Sequence, residues 1–176
     1  MLSCKLGSAR IRRHASLNDE IYRSLVRAGV PSIKEPTGML RSDGKRPDGV
    51  TQVPWTTGRC LTWDVTACDS LASSYVTLSA SSAGSAAERA ASLKLTKYAQ
   101  LSMTHEFVPL AFETLGPMNH AAKMFLIKLG KRLASASDDP RESSFLFQRL
   151  SMIVQRHNAV AFKESFITTS DDELKS

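Results

Sequence analysis

Three cysteines in 176 residues, without framework spacing, argue against a disulfide-stapled secreted scaffold and point to free thiols in a reducing compartment. No stretch approaches the roughly 20 apolar residues that a bilayer-crossing helix needs. The opening Met1-Leu2-Ser3-Cys4-Lys5 also lacks an apolar run of secretion-signal length. The chain therefore reads as soluble and intracellular. Gly-rich phosphate loops, the GxSxG elbow and His-rich metal motifs are all missing, so nucleotide hydrolysis and serine chemistry have no support. Cys4 and His14 alone cannot build a zinc site, which takes four clustered ligands. No internal repeat is present. What remains is ordinary globular material: 42% hydrophobic and 23% charged residues, at a length that suits one domain with a sizeable core.

Charge is less ordinary. The net charge is +6, and ten of the 23 Lys and Arg residues precede Pro47. Arg10, Arg12, Arg13, Arg23, Arg27, Arg41, Lys45 and Arg46 are among them. A basic front half makes a polyanionic partner plausible, although charge alone also suits a protein that binds none.

Ser16-Leu17-Asn18-Asp19-Glu20 has the form of a helix start, a polar cap followed by acids. Leu17, Ile21, Leu25 and Ala28 continue it at helical spacing, and Gly29 with Pro31 ends it. A short strand is expected at 32–35 and an exposed loop from 37 to 49. A second strand follows at 50–55 and the clearest one at 60–67. In that strand Leu61, Trp63 and Val65 alternate with Thr62, Asp64 and Thr66. Residues 69–85 are Ser/Ala-rich and ambiguous, and a helix is predicted from about 86 to 103. Pro109 demotes a strand at 107–112 toward an edge. Amphipathic helices are predicted near 119–133 and 142–161, then a short disordered tail from Thr168. This order implies an α/β fold, a small mixed sheet flanked by helices.

Two acids and two lysines carry the candidate chemistry. Asp48 follows Pro47 in a turn-like context, where Asp is common for structural reasons. Asp64 lies mid-strand, where Asp is depleted, so its carboxylate must be exposed, paired or metal-bound. Lys94 and Lys97 fall inside the apolar arc that Ala86, Ala87, Ala90, Ala91, Leu93, Leu95, Tyr98 and Leu101 draw on the next helix. A lysine there either snorkels outward or reaches a sheet-edge carboxylate. Glu20 is a possible third metal-facing acid, against a structural pairing with Arg23. Glu113 reads as a structural hydrogen-bonding acid. His14 reads as a solvated residue of a basic arm, and Cys60 and Cys68 as small packing groups.

Arg46-Pro47-Asp48-Gly49, then Trp63-Asp64-Val65-Thr66, then Lys94-Leu95-Thr96-Lys97-Tyr98 together resemble the restriction-endonuclease-like, or PD-(D/E)XK, domain of non-LTR retrotransposon polyproteins. The resemblance covers roughly residues 10–116. It implies a core of order α-β-β-β-α-β over 16–116 and a helical pair at 117–167 packed on it as an appendage. Residues 1–15 would form a basic arm and 168–176 the tail. Thr66 stands where the family's tripeptide lysine is expected. In the retrotransposon branch the following helix supplies that amine, which fits Lys97 or else Lys94. Cys4, followed by Arg10, Arg13 and His14, looks like the last cysteine of a zinc knuckle whose other three ligands are absent, so no zinc site is expected. The chain thus resembles an excised C-terminal piece of a longer element.

The function implied is Mg²⁺- or Mn²⁺-dependent cleavage of DNA, in the nucleus if the protein is functional, with no other small-molecule cofactor and no membrane partner. Asp48 and Asp64 would hold the metal with a main-chain carbonyl near Val65. Lys97 would serve the attacking water, while Arg10, Arg13, His14 and Arg46 would hold phosphates. Two rivals stay open. One is a catalytically silent nucleic-acid-binding remnant. The other is an interaction module whose C-terminal helices expose Phe145, Leu146, Ile153 and Val160.

Overall fold

The computed structural model describes residues 8–39, 46–56 and 58–173, with side chains from 9 onward and as far as 164. Cys4, with the expected knuckle remnant, lies outside the described residues. The elements run α1 (Ser8–Arg27), β1 (Ser32–Lys34), β2 (Gly49–Pro54), β3 (Cys60–Cys68), α2 (Val76–Ser81), α3 (Ser85–Lys97), β4 (Glu106–Glu113), α4 (His120–Ser137) and α5 (Glu142–Glu173). The sheet order is β1-β2-β3-β4. Its first three strands are antiparallel, while β3 and β4 pair in parallel. A parallel pair needs a long crossover, which α3 helps to supply. The mixed α/β sheet expected from the element order is what forms.

β3 organises the core. Leu61, Trp63 and Val65 are buried against Leu17, Ile21 and Leu25 of α1, Phe125, Leu126 and Leu129 of α4, and Leu146 and Leu150 of α5. The helical pair therefore completes one core with α1 and the sheet, rather than standing as an appendage. On the opposite face Cys68 packs with Ala87, Ala90 and Ala91 of α3. These alanines let the helix lie close to the sheet, which buries Thr62 and Asp64 as well. Alternation along β3 holds, but neither face is solvated. Pro109 is tolerated because β4 is an edge strand. The Asn119 side chain covers that edge, donating to the Pro109 carbonyl (3.2 Å) and accepting from the Ala111 amide (2.9 Å).

Three boundaries depart from expectation. α1 already runs from Ser8, because Ala9 and Arg13 extend the buried stripe of Leu17, Ile21 and Leu25 at spacing i, i+4. Arg10, Arg13 and His14 are thus helical residues, not parts of a loose arm. The acids that looked like a first turn lie mid-helix, where Asp19 pairs with Lys34 and Glu20 with Arg149. α3 stops at Lys97, and Leu101–Met103 form a separate 3-10 turn. α5 continues through Thr168 to Glu173, past the point where the tail was expected.

Candidate active site

Asp48 is pinned by its own main chain before β2 begins. Its amide donates to the Trp63 carbonyl (3.0 Å), and its carbonyl accepts from the Glu35 amide (2.9 Å) and Asn18 Nδ2 (3.3 Å). Gly49 makes this approach possible, since a Cβ there would lie 2.0 Å from Trp63 Cζ2. The indole is held in turn by Asn18 Oδ1, which accepts from Trp63 Nε1 at 2.8 Å. Asp48 Oδ2 accepts from the Val65 amide at 2.6 Å and lies 2.9 Å from His14 Nε2. The carboxylate is thereby aimed along β3, toward the side chain that precedes Val65.

That side chain is Asp64, only 3% exposed. Its Oδ2 pairs with Lys94 Nζ at 2.5 Å. Burial pushes the Asp64 carboxyl up, and the negative charge of Asp48 adds to the rise, while Lys94 opposes it. His14 is pushed up, first by its hydrogen bond to Asp48 and against burial. Asp64 raises it further and Lys94 lowers it. His14, Asp48, Asp64 and Lys94 therefore form one electrically coupled group at the β2–β3 edge.

The other candidates fall into place around this group. Lys97 Nζ donates to the Tyr98 hydroxyl (2.9 Å) and lies 4.4 Å above its ring, and that hydroxyl donates to the Arg46 carbonyl (2.8 Å). Lys94, not Lys97, is the lysine seen on Asp64. The arc on α3 is also narrower than its sequence suggests: Leu93 and Leu95 are exposed, and the buried stripe runs through Ala87, Ala90, Ala91 and Tyr98. Glu20 does not join the site. It accepts from Arg149 Nε (2.6 Å) and Ser24 Oγ (3.2 Å), binding α1 to α5. Arg46 is held by Glu35. Glu113 is structural, accepting from the Ala87 amide in the first turn of α3 (3.1 Å) and from Ser70 Oγ (3.4 Å).

Two clefts open beside the group. The larger, about 460 Å³, is lined by Arg10, Ile11, His14, Val65, Thr66, Ala67 and Lys94. A narrower one of about 210 Å³ shares Arg10, Thr66 and Ala67 and continues past Arg13 to Asp69 and Tyr75. Among the described residues, no cluster of three or more His, Cys, Asp or Glu side chains is placed to hold a metal. The oxygen donors of Asp48 and Asp64 suit a hard divalent cation, which takes one or two carboxylates and completes its shell with water and phosphate. The upward push on the Asp64 carboxyl, from burial first and then from the Asp48 charge, is the other sign of such a fit, because a cation beside it would relieve that push.

His14 is the residue whose role here its sequence context hid. The trace of it is Asn18, one turn along α1, which contacts both the Asp48 carbonyl and the Trp63 indole. No protein-family model matches the chain, and no curated protein matches it.

Proposed function

We propose that the protein is a metal-dependent DNA endonuclease of the restriction-endonuclease-like type seen in non-LTR retrotransposons. One observation carries the reading: Asp48, just before β2, and Asp64, on β3, are electrically coupled, and the His14 and Lys94 that contact them line the larger cleft. Asp48 and Asp64 would hold Mg²⁺ or Mn²⁺, and the bound cation would polarise a phosphoryl oxygen and acidify its water. His14 and the Val65 amide fix the Asp48 carboxylate. Lys94, held beside the site by Asp64, would orient the attacking water and offset negative charge developing on the phosphate. Arg10 draws the backbone phosphate into the larger cleft. Genomic DNA as substrate places the activity in the nucleus of a cell that has one.

The test is nicking of supercoiled plasmid in Mg²⁺. Asp64→Ala, and the near-isosteric Asp64→Asn, lower the rate by about 100-fold or more while the thermal transition persists, in keeping with loss of a charged group that acts in the transition state. Cleavage that survives both variants removes the proposed site. A second reading has its own observation in favour. Lys94 and His14 already engage the two acids, which is how a silent DNA-binding remnant would keep a stable site. Duplex binding with no nicking by the wild type, unchanged in Asp64→Ala, selects it. The interaction-module alternative loses ground, since Leu146 is fully buried and Ile153 packs against the core.

A further inference from the structure

The narrower cleft poses a problem that the proposed cleavage site does not solve. Arg13 is 4% exposed, its guanidinium is pushed down by burial, and its Nε has no hydrogen-bond partner among the described residues. The opposing charge it feels is Asp69. Asp69 Oδ1 accepts from the Leu71 amide (3.0 Å), yet its Oδ2 is buried without a partner, as is Thr66 Oγ1. A buried charge left half-satisfied is costly, and here two of opposite sign line one cavity of about 210 Å³.

The chemistry of a fitting ligand follows. It must offer acceptors to Arg13 and donors to Asp69 at the same time. A phosphate meets the first demand but sets its charge against Asp69, and a simple cation does the reverse. A nucleobase edge meets both. Guanine does so best, because its O6 and N7 are paired acceptors matched to an arginine fork and its N1–H and exocyclic amine are donors suited to a carboxylate. Tyr75 adds an aromatic wall for the base plane.

We infer that this cleft is a guanine-reading pocket. It rests on the endonuclease reading for its biological use: through the shared Arg10, Thr66 and Ala67, the base lies beside the phosphate cleft, so it belongs to a nucleotide neighbouring the cut. The base must be unpaired or turned out of the duplex to enter. The pocket is then the element that gives cleavage its site preference.

The test is calorimetric titration of the whole chain, wild type and Asp64→Ala, with guanosine, adenosine, cytidine, uridine and inosine 5′-monophosphates in EDTA. Guanosine monophosphate binds both proteins about tenfold or more tightly than the adenosine, cytidine and uridine forms, the scale of one good bidentate contact. Inosine monophosphate, which lacks the exocyclic amine, falls between. Asp69→Asn removes the guanine preference. Because Arg13 is also part of the buried stripe of α1, its side of the contact is tested on the ligand, with 7-deazaguanosine monophosphate expected to bind more weakly. Equal affinity for all bases, absence of binding, or a preference that survives Asp69→Asn overturns the inference. Guanine preference without nicking refutes only the endonuclease reading, and nicking without guanine preference refutes only the pocket.

Discussion

Lys94 and Lys97 sit one turn apart on α3 and serve different partners, Asp64 for the first and Tyr98 for the second. Lys94→Ala is therefore expected to lower nicking by about 100-fold, the scale of a lost electrostatic contact in the transition state, and Lys97→Ala by no more than about threefold. Plasmid-nicking rates for the two variants decide between the lysines. Removing Lys94 also takes away the main influence holding the Asp64 carboxyl down. His14 supplies a pH test. Its pKa lies above 6.5 in the folded protein, so between 6.5 and that raised value the native state holds the extra proton. Its contribution is complete below 6.5 and is lost as pH rises through the folded value. Asp64, raised from 3.8, acts in the same direction. His105 and His157, both lowered by burial, act oppositely and only below 6.5. Urea unfolding in EDTA should thus show stability falling as pH is raised above 6.5, with a flatter profile in His14→Gln. Superimposable profiles would refute the His14–Asp48 contact.

At the scale of elements, β2 and β3 are locked by one close approach. Gly49→Ala drives a methyl into the Trp63 indole, which is fully buried and cannot move aside. The expected loss is about 3 kcal/mol, at the upper end for overpacking, read as a drop in the urea midpoint. An unchanged midpoint would mean that the indole packs elsewhere. Much of this layer was legible in the chain. Alternation in β3, the proline at the β4 edge and the order of strands follow from periodicity and turn chemistry, which are local. The start of α1 was not, because the stripe through Ala9 and Arg13 places a cation at a core position, and a cation hides the period. Asp64 stood out as an acid inside a strand, whereas Asp48, in a turn-like context, drew notice only beside it. The His14 contact did not stand out, because its partner is 34 residues away. Glu20 misled for the same reason: its arginine lies on α5, 129 residues on.

Across the whole molecule, charge rather than shape is the term that would set an encounter with DNA under the proposed nuclease reading. The chain carries +6, and Arg10 lines both clefts. Duplex affinity should fall log-linearly with salt, and Arg10→Gln should reduce the slope by about 1, the loss of one phosphate contact. A slope equal to that of the wild type would take Arg10 off the DNA path. No helix among the described residues is long and apolar enough to cross a membrane. The margins of the sheet matter at this scale too. On one side β1 offers only three residues; on the other, Pro109 lacks a donor and Asn119 already occupies backbone groups of β4. Neither rim gives a second copy much to zip onto, which guards concentrated preparations against fibril growth without relying on the basic surface for repulsion.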